Sequence, residues 1–241
     1  MNAKLKAFLI HLALSLLIFG GLFALLLFFW YPEPYFTASG GWQGLKIVAM
    51  VDIVLGPLLT LVVYNPAKPR RELLQDYSFI VLLQLAALGW GVYTVYQNRP
   101  VVAAWWDDRF YTVSYDSLAS QDRYRHMLGQ LLDQKIPLVV IPPPKSSAEL
   151  ADIMDVFFNQ GIAPQQQLDR YRPLQEALAL IRNRSLAKSE LSSVTWFDKS
   201  PPPRTDDMLF FRLDSAYENL VLVTDRKGKL LGYSRIDESS P

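Results

Sequence analysis

LKIVAMVDIVLGPLLTLVVYN, residues 45–65, is an apolar segment long enough to cross a bilayer, yet it carries a carboxylate and a Gly-Pro pair in its interior. Asp52 precedes Gly56 and Pro57 by about one helical turn. A carboxylate near the middle of a membrane helix costs roughly 2.5 to 3.5 kcal/mol on insertion scales. An interior proline also frees a backbone carbonyl four residues earlier, here that of Ile53. Both costs call for polar partners, so this part of the segment faces protein and not lipid.

Two further apolar runs flank it. Phe8 to Trp30 is interrupted only by His11, Ser15 and the Gly20, Gly21 pair, and it ends in FFWYPEP, an aromatic belt followed by a proline stop. A cleaved signal peptide has a shorter apolar core and small residues at its end, so a retained anchor is expected. Tyr77 to Gln97 is the third run. The chain therefore reads as an α-helical membrane protein, with spans at about 8–30, 45–64 and 77–97 inside a transmembrane domain 1–98. A domain 99–241 follows. Lys4 and Lys6 precede the first span, Lys68, Arg70 and Arg71 join the second to the third, and Tyr31 to Gly44 has no Lys or Arg. Lys46, just inside the second span, can snorkel outward. The positive-inside rule then sets the N-terminus in the cytoplasm and the C-terminal domain outside, which in a bacterial inner membrane means the periplasm.

The whole chain of 241 residues is 51% hydrophobic with a net charge of +1, which argues against a fully soluble protein and against a basic nucleic-acid binder. Residues 99–241 hold 18 basic and 19 acidic side chains, so nothing there attracts a polyanion. Absence of cysteine excludes disulfides, thiolate metal sites and cysteine nucleophiles.

Within 99–241, VVAAWW and RFYTVSY read as strands around an Asp107, Asp108 turn, and IPLVVIPPP as a buried strand. Ser120 to Gln134 has helical spacing. Ser146 or Ser147 caps the amphipathic helix AELADIMDVFFNQ, which stops at Gly161, and another helix is expected from about Gln165 to Arg184. Leu186 to Ser193 reads as helical and SPPPR as a linker or polyproline II turn. MLFFRLD, NLVLVTD and KLLGYSRI are strands, the last two joined by a turn at Asp225 to Gly228. The expected domain is α+β with an antiparallel sheet.

Asp52, Gly56 and Thr60 stand at i, i+4 and i+8 and so form one polar, small stripe on the second span. At 1.5 Å per residue Asp52 lies roughly 20 Å from the cytoplasmic edge of the hydrocarbon, with Thr60, Gln84 and Ser15 in a layer roughly 8 to 11 Å from it. The simpler use of the stripe is an internal network that fixes how three helices pack; the alternative is contact with a partner's membrane helix. A proton or ion path has little support from one carboxylate on three spans. Gly20 with Ala24 and Ala87 with Gly91 permit close helix approach. The soluble part offers no catalytic set: His126 stands with Asp122 on one helical face, and Asp107, Asp108 and Asp206, Asp207 are acidic pairs in turns. Catalysis, a metal and a cofactor are therefore not assigned. Trp105, Trp106, Phe110 and Tyr111 read as interfacial anchors or a protein-binding surface.

WYPEPYF after the first span, VDIVLGPLLTLVVYNPAKPRREL across the second, QDYSFIVLLQLAALGWGVYTVYQNRPV and the following RFYTVSY resemble the TfpX/TfpZ type IV pilin accessory proteins. The resemblance covers about residues 1–115. Its most specific part is the string Asp52, Gly56, Pro57, Thr60 with Gln84, framed by the juxtamembrane Trp30, Tyr31, Pro32, Arg99 and Pro100. Beyond Tyr115 it rests on length, topology and the terminal strands. It implies a non-enzymatic, chaperone-like inner-membrane protein whose partners are the major type IV pilin, the lipid bilayer and the pilus assembly machinery. A membrane-anchored periplasmic sensor or binding protein is the first rival class, which would need an output partner because only short segments face the cytoplasm; a membrane enzyme, with the acidic pairs of residues 99–241 as its only candidate groups, is the second.

Overall fold

The computed structural model describes residues 3–64, 68–119, 121, 136–187, 194–195 and 207–236. It divides into two units, Met1–Phe36 with Gly40–Asn98, and Thr37–Ser39 with Arg99–Pro241.

The first unit contains three helices long and apolar enough to cross a membrane, Lys4–Trp30, Gly41–Val63 and Arg70–Gln97. The second helix changes register where its sequence is unusual. It is α-helical over Gly41–Ala49, widens to π geometry over Met50–Leu55 and returns to α over Gly56–Val63. The Gly56 N–H donates to the Val51 carbonyl, five residues back. Pro57 then falls in the first turn of the resumed α-helix, where its missing N–H costs least. The proline is thus absorbed by a register change and the helix runs on. The third helix begins at Arg70, ahead of the expected Tyr77, because the charged turn Arg70–Asp76 extends it beyond its apolar part. The Tyr64 and Tyr77 rings nonetheless lie 6.1 Å apart, so the expected span ends are neighbours.

One end of this unit is closely packed. Leu22, Leu26, Tyr31, Phe36, Leu45 and Val95 belong to one buried cluster. The glycines that allow this approach are not those the small-residue spacing singled out. A Cβ on Gly20 would meet nothing within 4 Å and one on Gly91 only ordinary contact, whereas one on Gly44 would fall 2.6 Å from Val95 Cγ2.

The second unit is built on an eight-stranded sheet in the order β4-β3-β1-β2-β6-β7-β8-β5. Its strands are β1 Pro100–Trp106, β2 Arg109–Ser114, β3 Leu138–Val140, β4 Arg172–Pro173, β5 Val194–Thr195, β6 Met208–Asp214, β7 Leu220–Asp225 and β8 Leu230–Ile236. The local hairpins β1/β2, β6/β7 and β7/β8 are antiparallel, as expected. The sheet as a whole is mixed and not purely antiparallel, because β3 joins β1 and β6 joins β2 in parallel. Each of those pairings closes over a long intervening segment, the connection that parallel strands require.

Turn chemistry explains the hairpins. Asp107 and Asp108 adopt φ of 49° and 67°, the left-handed conformation that a two-residue hairpin turn demands and that aspartate tolerates. At the β7/β8 turn Gly228 has φ of 79°, and Asp225 Oδ1 accepts from the N–H groups of Lys227 and Lys229. Ser146 caps the helix Ser147–Gln160 by accepting from the Glu149 N–H, and Gly161 ends it at φ of 70°. The helix expected over Gln165 to Arg184 is α-helical only over Leu174–Ile181. Ahead of it lie short 3-10 turns, the buried Tyr171 and β4, because Pro173 cannot occupy a helix interior.

The Asp107, Asp108 region also decides the aromatic group beside it. Trp105 and Phe110 are buried, and Phe110 meets Phe211 edge to face at 5.7 Å, so these two rings are core and neither anchors nor docking surface, while Trp106 and Tyr111 are half-buried. The helix expected over Ser120 to Gln134 with Asp122 and His126, most of Leu186 to Ser193, SPPPR and Asp206 fall outside the described residues.

Candidate functional site

The stripe on the second helix packs against both of its neighbours. Asp52 is 5% exposed, Thr60 and the first helix's Ser15 are buried, and Gly56 and Pro57 are buried beside them. Gln84 of the third helix lies directly on the Gly56 backbone: a Cβ there would stand 1.9 Å from Gln84 Nε2. Glycine at 56 is therefore what lets the amide approach the helix axis. Thr60 Oγ1 lies 2.6 Å from His11 Nδ1 of the first helix. The expected layer of Thr60, Gln84 and Ser15 is thus divided, with Gln84 over Gly56 and the hydroxyl of Thr60 engaged by a histidine.

These groups surround a cavity of about 120 Å³, lined on its polar side by His11, Ser15, Asp52 and Gln84. Asp52 lines it, and its Oδ2 is buried without a hydrogen-bond partner among the described residues. Leaving a buried polar atom unsatisfied costs about 1–3 kcal/mol, and more for a charged one. The second helix carries this cost in a π-helical turn, a local geometry frequent at functional sites. His11 was missed as a site residue because a lone imidazole in an apolar run reads as an interruption. The available signal was its spacing, since His11 and Ser15 stand at i and i+4, on one face.

The juxtamembrane residues serve each unit separately. In the first, the Tyr31 hydroxyl donates to the Val95 carbonyl at 2.8 Å, and the Trp30 and Tyr96 rings meet edge to face at 5.1 Å. Pro32 accepts through its carbonyl from the Tyr35 N–H. Tyr35 is buried with its hydroxyl unpartnered among the described residues, and burial pushes that phenol well above its ordinary value. In the second unit, the Arg99 guanidinium stacks 3.9 Å over the Tyr115 ring, the Arg99 carbonyl accepts from the Tyr115 N–H, and Pro100 opens β1. Ser39 Oγ bonds Ser215 Oγ, which also bonds Thr112 Oγ1, so a piece of the loop after the first helix is held in this unit.

One member of each acidic pair is held by an arginine. Asp108 accepts from Arg184 at 3.0 Å, and Asp207 pairs with Arg226 at 3.2 Å. Among the described residues no cluster of histidine and carboxylate side chains could hold a metal ion.

The class defined by these features is a protein with three potential membrane-spanning helices, a polar cavity among them, and a following sheet-containing domain. Its relatives share one task by name. Residues 1–40 match the family model "Fimbrial assembly protein FimB". The fimbrial assembly protein of serogroups C1 and C2 of Dichelobacter nodosus is 39% identical over 92 residues, covering 38% of this chain and 70% of that protein. The serogroup I protein of the same organism is 37% identical over 105 residues, covering 44% of this chain and 41% of the relative. The serogroup E1 protein is 38% identical over 92 residues, covering 38% of this chain and 36% of the relative. The chain belongs to the fimbrial assembly protein family. Its similarity spans about two fifths of the serogroup I protein's length. No solved structure matches it.

Proposed function

We propose that this chain is a non-enzymatic accessory of type IV fimbrial assembly that holds the major pilin subunit in the bacterial inner membrane before the assembly machinery takes it. The N-terminus lies in the cytoplasm and the sheet domain in the periplasm, following the distribution of lysine and arginine. The observation that carries the reading is the kinship with fimbrial assembly proteins, 39% identity over most of one relative. The three helices offer a subunit's apolar helix lateral company, and the sheet domain offers its globular head a second contact. Two contacts on one molecule raise the effective concentration of each for its target.

The test is capture of the subunit by the full chain from membranes in mild detergent. At least tenfold enrichment of the fimbrial subunit over membranes lacking the chain is expected. Recovery equal to that control would overturn the proposal.

A further inference from the structure

The cavity beside Asp52 has an orientation as well as a composition. Its floor is Asp52 on the second helix with Ser15 beside it, both buried, while its rims are Leu14 and Ile18 on the first helix and Val81 and Leu85 on the third. The rim residues are well exposed, Leu14 at 57% and Leu85 at 58%. Each rim pair stands at i and i+4, so the two rims are ridges running along neighbouring helices, the form that receives a ridge of a third helix. The floor has an acceptor to spare: no lysine or arginine lines the cavity, and His11 is engaged with Thr60. The Gln84 amide and the Ser15 hydroxyl can donate there, yet Asp52 Oδ2 has no partner among the described residues, and no cationic side chain faces it.

Resting on the accessory function proposed above, we infer that this groove between the first and third helices is the seat for the apolar helix of the fimbrial subunit, and that it takes a hydrogen-bond-donating or cationic group of that helix onto the Asp52 carboxylate. The volume of about 120 Å³ suits one side chain or one chain terminus and not a whole helix, so the rims take the apolar surface and the floor takes the donor. Depth argues against a lipid headgroup. Asp52 shares the cavity with Ser15 and Gln84, each seven residues inside the start of its expected span, so a headgroup would have to enter the hydrocarbon by about 10 Å to reach it. The same depth gives the contact its selectivity, since a donor buried there without an acceptor is penalised and a helix without a donor leaves Asp52 unsatisfied.

The experiment places a photo-crosslinking amino acid at Leu14 or Val81 of the full chain in membranes, with Leu16 and Leu83, exposed on the opposite faces, as controls. The rim positions are expected to give at least fivefold more adduct with the fimbrial subunit than the controls. Asp52→Leu is expected to lower that adduct at least fivefold, and Asp52→Asn, which keeps an acceptor, to retain half or more. Leu85→Trp, which narrows the mouth without touching the floor, provides a second variant and the same loss. Equal adducts from rim and control positions, adducts only with lipid or with a second copy of this chain, or adducts unchanged by Asp52→Leu would overturn the inference. If the subunit co-purifies but rim adducts are missing, the groove falls and the accessory function stands; if neither is seen, both fall.

Discussion

Two ends of the same three-helix unit solve opposite problems. Around Leu26, Tyr31, Leu45 and Val95, the helices close on apolar side chains, and the Tyr31 hydroxyl is satisfied within that cluster by the Val95 carbonyl. Around His11, Ser15, Asp52 and Gln84 they leave a cavity with a buried carboxylate oxygen unsatisfied. The closed end does bury the Tyr35 hydroxyl and Gln43 Oε1 without a partner among the described residues, but neutral groups cost far less there than a carboxylate. The difference shows where the unit holds itself together and where it is prepared to hold something else. Packing to crystal-like density leaves no room for a ligand, and a cavity contributes nothing to stability.

The largest expected effect is on the closed end. Leu26→Ala should cost about 2–5 kcal/mol by removing a buried side chain, whereas Leu85→Ala on the groove rim should cost under about 1 kcal/mol. Unfolding in a fixed detergent measures both, and similar costs at the two positions would erase the distinction.

Glycine substitutions separate the two ends next. Gly44→Ala drives a methyl into Val95, whose branched side chain has little freedom, and should cost about 1–3 kcal/mol. Gly56→Ala meets the tip of a flexible glutamine, so Gln84 swings aside and the cost stays under about 1 kcal/mol. The reverse order would mean that the groove, and not the closed end, is the tighter contact.

The smallest effect contrasts two aspartates. Asp225 is the partnered one: the Lys229 N–H, and with it the Lys227 N–H, holds its carboxyl below the usual carboxylate range. A carboxyl depressed in the folded state contributes its stability fully above the unfolded value near 4, and that contribution is lost as pH falls through the lower folded value. The amide resonances of Lys227 and Lys229 should titrate with a midpoint below about 3.9, and Asp225→Asn should abolish the transition. A midpoint at or above 3.9 would mean that the turn does not hold the carboxylate.

Local pattern made part of this legible from residues alone. The i, i+4, i+8 spacing put Asp52, Gly56 and Thr60 on one face, and the turn residues at 107–108, 146, 161 and 225–228 fixed ends and hairpins. What stayed hidden depends on distant contacts. The π turn at Met50–Leu55 is a register change that no local preference announces. The pairing of β6 with β2 needs knowledge of where a long connection returns, and Gln84 over Gly56 needs the relative height of two helices. Pro173 is a local signal for its own break, and it outweighs the helical spacing around it.

The unfolding free energy of the Asp52→Leu chain in the same detergent as the native protein bears most directly on the idea that the groove is a binding site and not a packing device. Removing an unsatisfied buried carboxylate should leave the helix unit at least as stable, with a gain of up to about 1–3 kcal/mol, while subunit capture falls. A loss of about 1 kcal/mol or more would show that Asp52 holds the three helices together, and would contradict the account.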